Sequence, residues 1–380
     1  MLCKTGGLGG MERLVARLAG QLPAWGLKTE LVLSPTRRKP VDPEVLTWFR
    51  RRGVIAKVVS PSRIAPLLDP VHLLRLARLF RKTEAEVLNL HFGGSDIFLQ
   101  EVLAARLAGK RCVVSPHNAM PLRTFWHAGR ARIATVFCAD VVVGNHALRG
   151  LLLEAGVPQR KIRLIKIGVP APHRSVTREE ARHQFGIAPD EFVILSVTRL
   201  IRAKGVDLVI AAVTRLAESY SRLTLMIVGD GEERQALQVA AGRSLKDRVR
   251  FLGFIEDPES AYSAADVLVL ATRADGAPMV PKEAARFGVP SIATDIGGVR
   301  DSITDGETGL IVPSEDVRAL SFAIQRLIDD DQLRFKLGEG ARRRCELEFS
   351  EAEMLQGYAE VLAPSGEKRA QVSTSVPLRQ

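Results

Sequence analysis

Two carboxylates stand eight positions apart in the stretch "RADGAPMVPKEAARFGVPSIATDIGG", residues 273–298: Asp275 and Glu283, with Gly276, Pro278 and Pro281 between them. That spacer can be neither one helix nor one strand. The preceding "DVLVLAT" reads as a buried strand, and "KEAARFG" starts a helix that ends at Gly288. Gly276 and Pro278 should keep the backbone between them extended, so that the N–H groups of Met279 and Val280 point forward at a ligand just before the helix begins. Asp275 then precedes the turn and Glu283 lies in the first helical turns, where both can face one pocket. Each acid alone reads as well as a stabiliser of a helix N-terminus, worth roughly a few tenths of a kcal/mol.

Three further loops carry chemistry suited to an anion. "KTGGLGGMERL" is a glycine loop opening a helix, whose exposed amides, with Gly9 and Gly10 at the mouth, favour negative charge; a plain turn is the competing reading. "SVTRLIRAKGVDLVI" sets Arg199 and Lys204 five residues apart after a buried strand. A planar guanidinium beside an ammonium suits a diphosphate, although either could be a solvated surface charge. "IVGDGEERQAL" ends a strand in Gly229 and Gly231 around Asp230, which permits a backbone to approach a ligand closely or simply makes a strand-to-helix turn.

Short β-branched runs alternate with helical patterns along the chain, which predicts parallel sheets built from βαβ units. "TELVLS", "VIAKVV", "VLNLHF", "RCVVSPH", "DVVVGN" and "IRLIKIG" form a first set of strands. After the Pro-rich "GVPAPHRSVT" comes a second set: "EFVILSVTRL", "RLTLMIVGDG", "RVRFLGF", "DVLVLAT", "VPSIATD" and "TGLIVP". The fold class is α/β, with two doubly wound Rossmann-like domains. The predicted boundaries are 1–167 for the first domain, 168–178 for a linker, 179–348 for the second domain, 349–363 for a C-terminal helix and 364–380 for a disordered tail. Ligands in such sheets bind beyond the carboxyl ends of the strands, where all four loops lie.

The chain has 380 residues and a net charge of +11, unevenly spread. Residues 1–165 hold 26 Lys/Arg against 11 Asp/Glu, a balance of +15, and the remainder is at −4. A basic first domain favours an anionic partner, such as a membrane surface or a phosphorylated substrate. Nucleic acid is the weakest choice, because the basic residues are not interleaved with aromatics. Cys3, Cys112, Cys138 and Cys345 stand alone, without CxxC pairs or neighbouring His, as in a reduced protein without a zinc framework. No apolar run reaches the roughly 20 residues that span a bilayer and no signal peptide is evident, so a cytoplasmic protein is expected. "VHLLRLARLFRK", residues 71–82, is basic and amphipathic; its place between two strands favours a sheet-covering helix over one lying on a membrane.

With these elements in place, the chain resembles the retaining GT-B glycosyltransferases of family four, also described as glycosyl transferases group 1. The resemblance runs from about Gly6 to about Leu362 and is strongest over residues 193–312. Its specific part is the pair Asp275 and Glu283 followed by Ala284, Gly288, Pro290, "IAT", Gly297, Gly298, Asp305, Gly306 and "TGLIV"; Thr198, Arg199, Leu200, Lys204 and Gly205, and Gly9, Gly10, Glu12 and Arg13, match two further elements.

The resemblance implies two domains facing across a cleft, with the C-terminal helix crossing back to an acceptor-binding first domain. Arg199 and Lys204 would hold the diphosphate of a nucleotide-sugar donor and Glu283 the ribose hydroxyls. Asp275, where the family has the longer Glu, would touch the donor sugar with a carboxylate drawn back by about 1.5 Å, one C–C bond. The backbone at Phe254 and Ile255 would meet the nucleobase. His117 would lie near the reacting sugar, with His91 as a second candidate. Retention would come from the leaving diphosphate assisting the incoming hydroxyl on the same face of the sugar, with no metal or other cofactor; no DxD element follows a strand, and Asp329, Asp330 and Asp331 read as a helix–helix turn. The acceptor would be a saccharide or a lipid-linked one, at a membrane surface.

Two alternatives accompany this expectation. One is a non-catalytic nucleotide-sugar-binding protein that keeps the fold. The other is a dinucleotide-dependent oxidoreductase, disfavoured because no evident strand precedes the glycine loop and no acid follows about 20 residues on. Only Met1 to Thr5 precede Gly6, so the first domain should either start upstream or lack its first central strand.

Overall fold

The computed structural model describes residues 1–5, 9–35, 41–59, 69–92, 99–117, 132–172, 176–276 and 278–364. The glycine-loop residues 6–8 and tail residues 365–380 lie outside them. Two compact units result: Met1–Ile167 with the segment from Ala352 onward, and Gly168–Glu351.

The first unit holds a seven-stranded parallel sheet: β1 (Leu2–Thr5), β2 (Leu31–Pro35), β3 (Ala56–Val58), β4 (Val87–Phe92), β5 (Arg111–Pro116), β6 (Asp140–Val143) and β7 (Ile162–Leu164), in the order β3-β2-β1-β4-β5-β6-β7. All six strands expected here are present. The suspicion that the domain lacks its first central strand is overturned, because Leu2–Thr5 pairs in parallel with β2 on one side and with β4 on the other. Its residues "LCKT" carry a weak apolar signal, and pairing on both edges supplies the stability that so short a strand lacks alone. A strand therefore does precede the glycine loop, and the case against an oxidoreductase loses that support.

Alternation along the strands sends Leu2, Leu88, Leu90 and Phe92 to one face and Cys3, Leu31 and Leu33 to the other. Helices α1 (Gly10–Gln21) and α2 (Pro43–Arg51) cover the second face. Helices α3 (Pro70–Lys82), α4 (Leu99–Leu107) and α5 (His146–Glu154) cover the first. The basic stretch 71–82 is thus a sheet-covering helix. It buries Leu76, Ala77 and Phe80 in the core and is capped by the Asp69 carboxylate, which accepts from the amides of Val71 and His72 at 3.0 Å.

The second unit is built the same way, with β8 (Phe192–Val197), β9 (Leu223–Val228), β10 (Val249–Gly253), β11 (Val267–Leu270), β12 (Ser291–Thr294) and β13 (Gly309–Val312) in the order β10-β9-β8-β11-β12-β13, again all parallel. Its inner strands are mostly apolar and buried because helices cover both faces, while the edge strand β10 carries Arg250 and is only partly buried. Helices α7 (Val206–Leu216), α8 (Arg234–Ser244) and α11 (Val317–Asp329) pack with Ile194, Leu225 and Val267. On the opposite face α6 (Arg178–Gln184), α9 (Glu259–Ala264) and α10 (Val280–Arg286) pack with Val193, Leu195 and Leu268. Helix α12 (Asp331–Glu348) follows α11 through Asp330, whose carboxylate caps it by accepting from the Leu333 amide at 2.8 Å, the helix–helix turn expected of the three aspartates. Helix α13 (Glu351–Leu362) places Tyr358 against the first unit's β4, where its ring lies 6.3 Å from that of His91.

Candidate active site

In each sheet the strand order reverses at one point, and there the loops leave in opposite directions and open a crevice. In the second unit that point lies between β8 and β11. The loop after β8 carries Arg199 and Lys204, and the loop after β11 carries Asp275. The Ala203 carbonyl ties them together, accepting from the Arg273 amide at 2.8 Å and the Thr272 hydroxyl at 3.0 Å. Arg273 adds a second clamp: its guanidinium holds the Asp207 carboxylate in a two-pronged contact at 2.7 and 2.8 Å, grips Glu315, and donates to the Arg202 carbonyl at 2.8 Å. Gly205 makes the approach possible. With φ at +64°, any Cβ there would sit 1.9 Å from the Ala271 carbonyl oxygen.

The outcome is a direct contact between two of the predicted residues. The Lys204 ammonium lies 2.6 Å from Oδ2 of Asp275, both side chains being mostly buried. Arg199 is exposed on the same loop after β8 as Lys204.

Glu283 lies in the first turn of α10, and its Oε2 accepts from the Tyr262 hydroxyl at 2.7 Å. Tyr262 is buried on α9 and stacks on Phe287, with ring centroids 5.6 Å apart, so the phenol holds one carboxylate oxygen in a set position. Met279 is the helix N-cap, and its backbone is already helical (φ −83°, ψ −30°) rather than extended as expected. The helix starts at Val280, two residues before Lys282, and the Met279 and Val280 amides still precede its first amide donor, that of Lys282. Ser302 anchors this turn by donating to the Pro278 carbonyl at 3.1 Å.

At Gly229 the close approach is to the chain itself. Its φ is +138°, a Cβ would lie 1.8 Å from the Thr198 carbonyl oxygen, and its amide donates to the Gly253 carbonyl at 2.7 Å. Asp230 pairs with Arg234 at 2.6 Å. These contacts bring the loops after β8, β9 and β10 together. Phe254, next to Gly253, is 58% exposed, and Ile255 packs at the edge of the core beside Tyr262.

In the first unit Gly9 is the N-cap of α1 in extended conformation, and Gly10 opens the helix. The Glu12 carboxylate sits against Gly9, 3.1 Å from where a Cβ would be, so a carboxylate of the chain already occupies that end. His117 follows β5 and is held by its amide to the Phe92 carbonyl at 2.8 Å. Burial lowers its pKa from 6.5 to about 4, which keeps the ring neutral. His91, on β4, is 0% exposed, so it is no second contact for a sugar; its Nδ1 lies 3.1 Å from Nε2 of His117.

Tyr262 and Arg273 were missed in the sequence. Tyr262 reads there as an ordinary core aromatic, and only the packing of α9 beside α10 brings it to Glu283. Among the described residues no group of three or more His, Cys, Asp or Glu is arranged to hold a metal ion.

Comparison with known proteins accords with this geometry. Residues 177–344 match the family described as glycosyl transferases group 1, and residues 8–171 match glycosyltransferase family 4. The capsular polysaccharide biosynthesis glycosyltransferase CapM of Staphylococcus aureus is 31% identical over 313 residues, covering 78% of this chain and 81% of that one. A D-inositol 3-phosphate glycosyltransferase of Corynebacterium urealyticum is 30% identical over 368 residues, covering 89% and 86%. Among solved structures, Anabaena HepE in complex with UDP superposes with a TM-score of 0.78 at 20% identity, over 95% of this chain and 98% of that one. The two parallel sheets, the paired loops at the switch point and these relatives together place the chain in the GT-B glycosyltransferases of family four, as a transferase enzyme.

Proposed function

We propose that the chain is a retaining glycosyltransferase. It moves a sugar from a nucleoside-diphosphate donor to a hydroxyl of a saccharide or lipid-linked acceptor, in the synthesis of a cell-envelope or secreted polysaccharide. The observation that carries this reading is the Lys204–Asp275 contact at the switch point of the second sheet, on the loop that also carries Arg199. Two cations there suit a diphosphate, and the carboxylate suits the hydroxyls of the sugar attached to it. Glu283, held by Tyr262 on one oxygen, keeps the other for the ribose hydroxyls. The amides of Met279 and Val280 add donors for the phosphates, and Phe254 and Ile255 contribute the nucleobase contact.

In this mechanism the bond from the sugar's anomeric carbon to the diphosphate oxygen breaks. The acceptor hydroxyl attacks on the same face, and its proton passes to the leaving phosphate. Arg199 and Lys204 stabilise the charge that develops there, without a metal. His117 meets the reacting sugar. Polysaccharide synthesis is the work named for CapM, and UDP is the ligand in HepE. A nucleotide-release assay with UDP-, GDP- and ADP-sugars, with and without lipid-linked acceptors and with EDTA, tests this reading. Release from at least one donor, undiminished by EDTA, is expected, and silence with every donor refutes it.

The charge of the first domain adds a location. With +15 over residues 1–165, that domain is suited to an anionic membrane surface, which would make the protein peripheral at the inner face of the membrane. No helix of the described residues is long and apolar enough to cross one. Sedimentation with anionic but not neutral liposomes, weakening with salt, is the expected result.

A further inference from the structure

A chain of buried polar groups runs behind His117. The Ser115 hydroxyl donates to Oδ1 of Asn89 at 2.9 Å, and Nδ2 of Asn89 lies 2.9 Å from Nε2 of His91. Nδ1 of His91 in turn lies 3.1 Å from Nε2 of His117. At the far end Tyr358, on α13, is 2% exposed, with its ring 6.3 Å from that of His91. Ser115, Asn89, His91 and Tyr358 are at most 2% exposed, so water cannot reorder these bonds.

An amide fixes the direction of such a chain, because its oxygen only accepts and its nitrogen only donates. With its Oδ1 turned to the Ser115 hydroxyl and its Nδ2 to His91, Asn89 accepts from Ser115 and donates to Nε2 of His91. That nitrogen is an acceptor, and the proton of the neutral ring is on Nδ1. His91 Nδ1–H therefore donates to Nε2 of His117, whose own proton is left on Nδ1. The rings of His91 and His117 lie nearly parallel, 12° apart, with centroids at 5.4 Å.

We infer that His91 is a positioning residue that locks His117 in the form protonated on Nδ1, so that His117 offers a ligand a hydrogen-bond donor and has no free lone pair with which to act as a base. This rests on the reading of His117 as the group that meets the reacting sugar. A donor of fixed direction suits a sugar hydroxyl or ring oxygen, and it leaves the acceptor's proton to the departing phosphate. The four residues behind His117 then serve orientation: they hold one tautomer and one ring angle.

The test uses the full chain labelled with 15N-histidine. At neutral pH the His117 Nδ1 should show the resonance of a protonated nitrogen and Nε2 that of a bare one; a protonated Nε2 overturns the inference whatever the activity. Ser115→Ala removes the donor that orients Asn89, and should give His117 a mixture of tautomers; an unchanged spectrum overturns the relay. His91→Leu should lower kcat by roughly tenfold, the scale of one neutral hydrogen bond, with nucleoside-diphosphate affinity unchanged. His91→Gln, whose amide can still donate, should recover most of that loss. Equal kcat in wild type and His91→Leu overturns the positioning role. A wild type that turns over no donor removes the transferase reading of His117, while the nitrogen spectrum still decides the relay.

Discussion

Asp275 holds Lys204 and, in the proposed function, also meets the donor sugar, and neutralising it separates these two roles. In the free protein the Lys204 ammonium is held 2.6 Å from the Asp275 carboxylate, with side-chain exposures of 14% and 20%. An exposed ion pair is worth about 0–1 kcal/mol, and breaking a buried one costs about 3–5 kcal/mol. This partly exposed contact falls between, at about 1–2 kcal/mol. On the proposed function an incoming diphosphate would compete with Asp275 for the same cation and would be repelled by its charge. Asp275→Asn keeps the shape and removes both effects, so affinity for the free nucleoside diphosphate should rise about fivefold or more, the factor that corresponds to about 1 kcal/mol. Turnover should fall on the order of 10²-fold, because the proposed contact to the donor sugar would be lost. Titration calorimetry with UDP and GDP, alongside a nucleotide-release assay, measures both. Weakened nucleotide binding in Asp275→Asn, comparable to that in Glu283→Gln, would refute the competition and place Asp275 among the diphosphate or ribose contacts instead. Asp275→Glu restores the usual length of the family and should preserve or raise transfer.

Arg199→Ala and Lys204→Ala should each lower kcat/KM on the order of 10²-fold or more, since in the proposed function both meet charge that grows on the leaving group; near-normal turnover in either would put the phosphate site elsewhere. Tyr262→Phe removes the 2.7 Å bond to Glu283 and should raise the donor KM by roughly three- to tenfold with kcat nearly unchanged, as measured by steady-state kinetics. Burial holds His117 at about 4 and His91 well below its ordinary value, so between pH 4 and 6.5 the unfolded chain binds protons that the folded chain refuses, and stability rises with pH across that window. Urea midpoints should therefore fall from pH 6.5 to pH 5, and a His91→Leu/His117→Gln double variant should flatten that slope.

Much of the architecture was legible in short windows of sequence. A run such as "FVILSV" or "LTLMIV" is strand by its β-branched content and length, and its uniform apolarity announces cover on both faces, so the strands after the first, and the helix over 71–82, could be placed from local pattern alone. The chemistry-bearing loops were legible for the same reason: glycines, an acid pair and two cations follow strand ends, where a parallel sheet opens to ligands. The first strand was not. "LCKT" has too few apolar residues to declare itself, and its place is decided by β2 and β4, which pair with it from opposite sides. The early start of α10, at Val280 rather than Lys282, likewise reflects what packs against that turn, including Ser302 on the Pro278 carbonyl.

Partnership across the chain was beyond any local reading. Lys204 and Asp275 are 71 residues apart and meet because β8 and β11 are neighbours in the sheet. Glu283 finds Tyr262 through the packing of α9 and α10 on one face, and His117 finds Asn89, His91, Ser115 and Tyr358 through β4, β5 and a helix from the far end of the chain. Residue type and spacing therefore told which groups lie on the loops after the strands. Which of them touch, which proton each carries and which only hold another in place follow from strand order and close packing, because a hydrogen bond depends on distances of tenths of an ångström that only the assembled fold sets.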